Sequence, residues 1–233
     1  PQKRLLSPKH ADVLASKINI SKHMPPQKIA MDNSVDEAPQ TTHYSVLDKD
    51  GNAVSNTYTL NHAYGNGYVV PGLGFLLNNE LDDFTIIPGQ ANMYGLRQGS
   101  ANLIAPGKRP LSSMTPSIVL KNKQVFLVTG SPGGSRIINA VLQVMLNVID
   151  YHLNLASSVA APRIHSQAWP DSIQFEQGIS PDTLAKLQSM GHQLVQGPAI
   201  GAVESILKEN SKGHSPHLEG AFDPRRGGYA LGY

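Results

Sequence analysis

The most constraining stretch is a strand, a glycine-rich loop and a helix in direct succession over residues 124–149. Gln124 to Thr129 reads as a strand. Gly130-Ser131-Pro132-Gly133-Gly134-Ser135-Arg136 follows, and residues 137–149 (IINAVLQVMLNVI) have helical periodicity. Apolar side chains at 137, 138, 141, 142, 145, 146 and 149 leave only Asn139, Gln143 and Asn147 as a polar stripe at i, i+4 and i+8. Only that narrow face can be wet, so the helix must pack between layers or under another subunit. Its 13 residues fall short of the roughly 18–20 that span a bilayer.

Other segments agree with a layered α+β protein. Tyr44 and Val46 alternate with Ser45 and Leu47, Asp50-Gly51 is a hairpin turn, and Ala53 to Asn61 is a second run, so residues 42–61 form a β-hairpin. A second hairpin is expected from Ser117 to Leu120 and Gln124 to Thr129, joined by Lys121-Asn122-Lys123. Ser180-Pro181-Asp182 has the order N-cap, N1 proline, acidic first turn, and starts a helix to about Met190 that Gly191 ends. Short strands are expected near 193–196, 203–208 and 217–222. Before residue 41 the pattern differs: one short helix around Ala11 to Ile20, then a polar, proline-bearing linker from His23 to Gln40. No internal repeat is visible, and the chain starts at Pro1 without a basic-then-apolar leader, so any targeting signal is expected upstream.

Composition narrows the class of partner. Charged residues are 15% of the 233, against about 25% in an average soluble protein, which points to extensive buried contact. The balance of 19 basic and 17 acidic residues, scattered along the chain, offers no footprint for nucleic acid. With no cysteine, disulfides, zinc–thiolate sites and a Cys nucleophile are excluded.

Several residues could carry chemistry. The successive glycines of 130–136 lie between strand and helix, where backbone N–H groups can converge on an anion at the helix's positive end. The loop is neither a Walker loop nor a G-x-G-x-x-G, and spacing alone leaves a tight structural turn and an oxyanion or phosphate site both open. Hairpin residues whose numbers sum to 100 or 101 face each other, which puts Thr41 beside Thr59 or Leu60, with Asn61 on the face of Thr59. Threonine is also simply a good strand residue. Glu80 and Asp83, in Asn78-Asn79-Glu80-Leu81-Asp82-Asp83-Phe84, could hold an ammonium or be a solvated acidic turn. Ser112-Ser113 offers two adjacent hydroxyls. His214 and His217 lie in a Gly/Ser/Pro loop without an obvious third ligand, so no metal site is expected.

Taken in order, these motifs resemble the γ-glutamyltranspeptidase family of N-terminal nucleophile hydrolases. The matching stretches are Thr41-Thr42-His43-Tyr44-Ser45-Val46, Asp50-Gly51-Asn52-Ala53-Val54, Thr57-Tyr58-Thr59-Leu60-Asn61, the acidic turn 78–84, Lys108-Arg109-Pro110-Leu111-Ser112-Ser113-Met114 and the loop 130–136. Ala161-Pro162-Arg163 and Asp223-Pro224-Arg225 follow in the expected places. The resemblance covers 41–233 throughout and 1–40 more loosely.

It implies an αββα four-layer sandwich and a precursor cut between Gln40 and Thr41. Residues 1–40 would be the end of a large subunit otherwise absent from this chain, and 41–233 the catalytic small subunit. The absent part would include an arginine for the substrate's α-carboxylate. Thr41 would be nucleophile and, through its freed α-amino group, base. Thr59 would be the second threonine hydrogen-bonded to it, and Gly133 and Gly134 the oxyanion donors. Asn61, Glu80 and Asp83 would meet the ammonium of a γ-glutamyl donor such as glutathione, Ser112 and Ser113 its carboxylate, and Tyr94 would be a lid. Water, an amino acid or a dipeptide would accept the acyl group. No cofactor is implied, and the location is expected to be periplasmic or extracellular. Arg163 and Arg225 read as structural or maturation residues. A second reading is an unprocessed or non-catalytic homologue that binds γ-glutamyl compounds or a partner subunit.

Overall fold

In the computed structural model, residues 2–25, 41–209 and 217–232 are described. In chain order the elements are α1 (Gln2–Leu5), α2 (Pro8–Ala15), β1 (Thr41–Leu47), β2 (Ala53–Thr59), β3 (Ser117–Lys121), β4 (Gln124–Gly130), α3 (Ile137–Ile149) and α4 (Leu155–Ala160). They continue with β5 (Ile164–His165), β6 (Ile173–Phe175), α5 (Pro181–Ser189), β7 (Leu194–Gln196), β8 (Glu204–Glu209) and β9 (His217–Ala221). The fold is α+β, with a β1-β2 hairpin, a four-stranded sheet in the order β3-β4-β8-β9 and a small sheet β5-β6-β7.

The expected hairpin forms with Thr41 opposite Thr59 and Leu47 opposite Ala53. Its turn is longer than the two residues Asp50-Gly51. The Asp48 carboxylate accepts from the N–H groups of Asp50 and Asn52 and from the Asn52 side-chain amide at 2.9, 2.8 and 2.7 Å, so one side chain organises the loop over residues 48–52. In the second hairpin Lys121 belongs to the strand. Asn122 and Lys123 alone make the turn, both in the left-handed region at φ +53° and +63°.

Helices α3 and α4 cover one face of the four-stranded sheet. Leu127, Val203 and Leu207 pack there against Ala140, Val144, Val148, Leu155 and Val159, all buried. Each Val or Leu so buried contributes about 1.5–3 kcal/mol of hydrophobic stabilisation. The polar stripe of α3 is not its wet face. Gln143 exchanges two hydrogen bonds with the Ile164 backbone, Asn139 Oδ1 lies 2.7 Å from His165 Nδ1, and Asn147 donates to the Ser158 carbonyl. Those local partners draw the amides inward and leave Ile138, Leu142, Leu146 and Ile149 exposed instead.

The hairpin lies on the other face of the sheet, and this interface is polar. Ser45 donates to the Glu204 carbonyl at 3.1 Å, Ser55 donates to that of Thr129 at 2.8 Å and receives the Ser117 N–H. The His43 ring sits so close over Gly130 that any Cβ there would fall 2.2 Å from it, which is why residue 130 is a glycine. The hairpin's alternation is therefore inverted, with Tyr44, Val46, Val54 and Tyr58 pointing outward, each about half exposed. Helices, sheet and hairpin give three layers of an αββα sandwich. Among the described residues no buried helix covers the hairpin's outer face.

Helix α5 starts and ends where expected, with the Ser180 side chain accepting the Thr183 N–H and Gly191 at φ +97° after the Met190 cap. Strands β7, β8 and β9 lie at the expected places, whereas β5, β6 and α4, too short to carry a period, were not foreseen. The N-terminal helix is earlier and shorter than 11–20, because Ser7 caps it through the His10 N–H, Pro8 occupies its first turn and it ends at Ala15. The linker's last part, Gln40 included, lies outside the described residues.

Candidate active site

The β1/β2 register sets the site's centre. Thr41 Oγ1 donates to Thr59 Oγ1 at 3.2 Å, and the same oxygen accepts the Asn61 N–H at 2.9 Å. Strand alternation does not carry Asn61 there, since β2 ends at Thr59 and Asn61 turns in at φ +72°. The buried Tyr94 hydroxyl donates to the Asn61 carbonyl at 2.5 Å. The Asn61 side-chain nitrogen donates to the Asn79 carbonyl at 3.2 Å and to the Met93 thioether at 3.7 Å. That leaves its Oδ1 as an acceptor. Arg226 Nη1 donates to the Thr41 carbonyl at 3.2 Å.

The glycine loop is built for close approach. Ser131, fully buried, donates to the Pro132 carbonyl at 2.6 Å and accepts the Ala202 N–H at 2.9 Å. Gly133 and Gly134 have φ of +138° and +56°, and a Cβ on Gly133 would meet Gly201 Cα at 3.1 Å. Two successive positive-φ glycines turn the chain into a 3-10 turn, Gly134–Arg136, which runs straight into α3. Backbone N–H groups at such a helix entrance favour an anion.

One small cavity, open to solvent, is lined by Thr41, Thr59, Asn61, Asp83, Tyr94, Ser112, Ser113, Met114, Gly134 and Ile137. Eight of the sequence-derived candidates meet there. Gly133, buried, and Glu80 do not line it, and Glu80 is hydrogen-bonded to Asp83 within a 3-10 turn, Glu80–Asp83. Ser112 Oγ accepts the Met114 N–H, which leaves its O–H to donate elsewhere. Met114, Ile137 and Arg226 were not foreseen. All three adjoin marked residues: Ile137 is the first residue after the glycine loop, Met114 follows Ser113 in the same motif, and Arg226 is the neighbour of Arg225.

Three titrations are strongly displaced, those of Asp83, His43 and Glu204, the last pushed up to about 7 chiefly by burial. Burial, and then the charge of Glu80, push the Asp83 carboxyl up to about 7, and burial raises Glu80 as well. The pair takes up its second negative charge reluctantly and is a ready receptor for a cation. Burial lowers His43 to about 4, so the imidazole is neutral where it lies 2.7 Å from Thr57 Oγ1 and 3.2 Å from Ser45 Oγ. The arginines of the two later motifs do not line the cavity. Arg163 is fully buried against Asp223 at 2.7 Å, and Arg225 bonds Glu176 and Asp223. His217 pairs with Glu219 at 3.3 Å, His214 lies outside the described residues, and among the described residues no group of His, Asp and Glu could hold a metal.

The family model for gamma-glutamyltranspeptidase matches residues 1–233. The glutathione hydrolase proenzyme of Escherichia coli K12 is 49% identical over 226 residues, 97% of this chain and 38% of the relative. That of Pseudomonas sp. A14 is 47% identical over the whole chain and 42% of the relative. The chain thus spans about two fifths of the length of these relatives. The crystal structure of the Helicobacter pylori gamma-glutamyltranspeptidase T380A mutant superposes with a TM-score of 0.77 at 53% identity, covering 79% of this chain and 100% of that one.

Proposed function

This chain belongs to the γ-glutamyltranspeptidase family, and we propose that, together with the remainder of its precursor, it forms a γ-glutamyl transferase and hydrolase. The observation that carries the reading is the single cavity in which the Thr41 hydroxyl, an ammonium receptor, a pair of serine hydroxyls and the Gly134 backbone converge.

Maturation comes first. The Thr41 hydroxyl attacks the Gln40 carbonyl, the acyl group shifts from nitrogen to oxygen, and water hydrolyses the ester. This frees the Thr41 α-amino group and divides residues 1–40 from 41–233. An α-amino pKa of roughly 7.7–8.0 suits a base near neutral pH. In turnover the donor's glutamyl ammonium meets Asp83, Glu80 behind it and the Asn61 Oδ1, while its carboxylate meets the hydroxyls of Ser112 and Ser113. Thr59 holds the Thr41 hydroxyl in orientation. Its oxygen bonds to the γ-carbonyl carbon and its proton passes to the α-amino group. The oxyanion accepts N–H bonds from Gly133 and Gly134, and losing one such donor typically costs about 3 kcal/mol. Collapse breaks the C–N bond, the α-ammonium returns the proton to the leaving amine, and a γ-glutamyl ester remains on Thr41. Water or an acceptor amine, such as an amino acid or dipeptide, then takes the acyl group by the reverse proton path. Glutathione is the donor that the relatives' names support.

The partner in this reading is the large subunit of the same precursor. The exposed apolar faces of the hairpin and of α3 support it, because isolated faces of that kind are stable only when covered. A periplasmic or extracellular location belongs to the same proposal, and fractionating cells that express the full precursor tests it. The chemistry is tested by acid-quenching the processed enzyme during turnover of a γ-glutamyl anilide and mapping the peptides. A γ-glutamyl adduct on the N-terminal Thr41 peptide is expected. An adduct elsewhere, or none during steady turnover, contradicts the mechanism.

A further inference from the structure

Gln167 lines none of the cavity, yet it ties two of its walls together. Its Nε2 donates to the Tyr94 carbonyl at 3.2 Å, and its Oε1 accepts the Ser135 hydroxyl and lies 3.1 Å from His165 Nε2. Ser135, Tyr94 and His165 are all buried and Gln167 is partly so, which raises the cost of leaving their hydrogen bonds unmade. Both walls belong to the site. Ser135 follows Gly134 in the oxyanion turn, and Tyr94 donates through its hydroxyl to the Asn61 carbonyl. A continuous path thus runs from the oxyanion turn through Gln167 and Tyr94 to the ammonium receptor. The backbone around Gln167 is itself held in an uncommon shape. Ala168, the next residue, sits at φ +70°, a conformation that L residues with a Cβ rarely adopt and that persists only where the surroundings enforce it. His165, the last residue of β5 and two before Gln167, lies 2.7 Å from Asn139 of α3.

We propose that Gln167 is a positioning residue that couples the Tyr94 wall to the oxyanion turn, so that closure over the glutamyl head and alignment of the Gly133 and Gly134 donors occur together. The inference rests on the γ-glutamyl reading above and adds to it a residue that touches neither substrate nor nucleophile. It separates two arms. The donor arm, Nε2, steadies the wall that binds; the acceptor arm, Oε1, steadies the turn that stabilises the transition state.

The test uses the full precursor, processed to two chains, with active sites counted by the burst of amine released on acylation, so that unfolded molecules do not enter the constants. Gln167→Glu keeps an acceptor for Ser135 and loses the donor to Tyr94. Its KM for a γ-glutamyl anilide is expected to rise roughly three- to tenfold, the value of one neutral hydrogen bond, with kcat per active site little changed. Gln167→Leu loses both arms, and a similar rise in KM with a fall in kcat of about tenfold is expected. Wild-type constants in Gln167→Leu would overturn the coupling. So would a lowered melting temperature or burst with unchanged constants per site, which marks a merely structural residue, or identical constants in the two variants. A wild-type enzyme inactive toward the donor would overturn the γ-glutamyl reading, and the coupling with it.

Discussion

Asp83 and His43 lie in the same small molecule with opposite displacements, and the two predict different pH behaviour. Asp83 must be ionised to receive the donor's ammonium, and its carboxyl is raised to about 7 by burial and by Glu80. Activity at low substrate should therefore require a second deprotonation near 7, beyond that of the Thr41 α-amino base at roughly 7.7–8.0. Once the ammonium is bound it holds the carboxylate ionised, so kcat should keep only the α-amino limb and the acid limb of kcat/KM should be the steeper of the two. Asp83→Asn should lower kcat/KM severely and abolish that difference, since a charge-assisted contact becomes a neutral one. Full pH profiles of both constants check this, and an Asp83→Asn enzyme with wild-type limbs would contradict it. For His43 the folded state favours the neutral ring, lowered to about 4 against 6.5 in an unfolded chain. Its contribution to stability is present above pH 6.5 and is lost as pH falls from there toward 4, because the unfolded state then binds the extra proton. His43→Asn should flatten the decline in urea-unfolding midpoint over that range.

The elements that hold the site together are locked by a buried charge cluster. Arg163 donates to the carbonyls of Ile200 and Val159 and to Asp223, and Asp223 also accepts the Val203 N–H, so one pair fastens α4, the start of β8 and the C-terminal segment. Asp223→Ala leaves a guanidinium buried without its counter-charge, which costs about 3–5 kcal/mol. The processed mutant should show a clearly lowered urea midpoint, and a midpoint within error of wild type would contradict the assignment. Much of this element level was legible beforehand. Helix α3 was read with its observed bounds, and Thr41 was placed opposite Thr59, because periodicity and hairpin arithmetic are local rules. The direction in which faces turn was not. The hairpin's serines and His43 face inward and the amides of α3 are consumed by Ile164, His165 and Ser158. Those choices depend on partners 11 to 159 residues away, in other elements, which no periodicity within one segment reveals. The arms of Gln167 were invisible for the same reason.

At the scale of the whole molecule, two apolar faces stand open on opposite sides of one polar-laced sandwich: Tyr44, Val46, Val54 and Tyr58 on the hairpin, and Ile138, Leu142, Leu146 and Ile149 on α3. Faces of this kind should make residues 1–233 expressed alone poorly soluble and inactive toward a γ-glutamyl anilide, with activity appearing when the upstream region is supplied in the same precursor. Equal specific activity from the short chain would show that these faces need no cover. The central claim is narrower: one hydroxyl, that of Thr41, both cuts the chain and attacks the donor. The most direct measurement is the intact mass of the purified full-length precursor over a time course, wild type beside Thr41→Ala, with donor turnover read from the same samples. The account predicts that the wild type separates between Gln40 and Thr41 as activity rises, and that the mutant stays whole and inactive. A mutant that separates at the same bond, or a wild type that turns over donor while still whole, would contradict it.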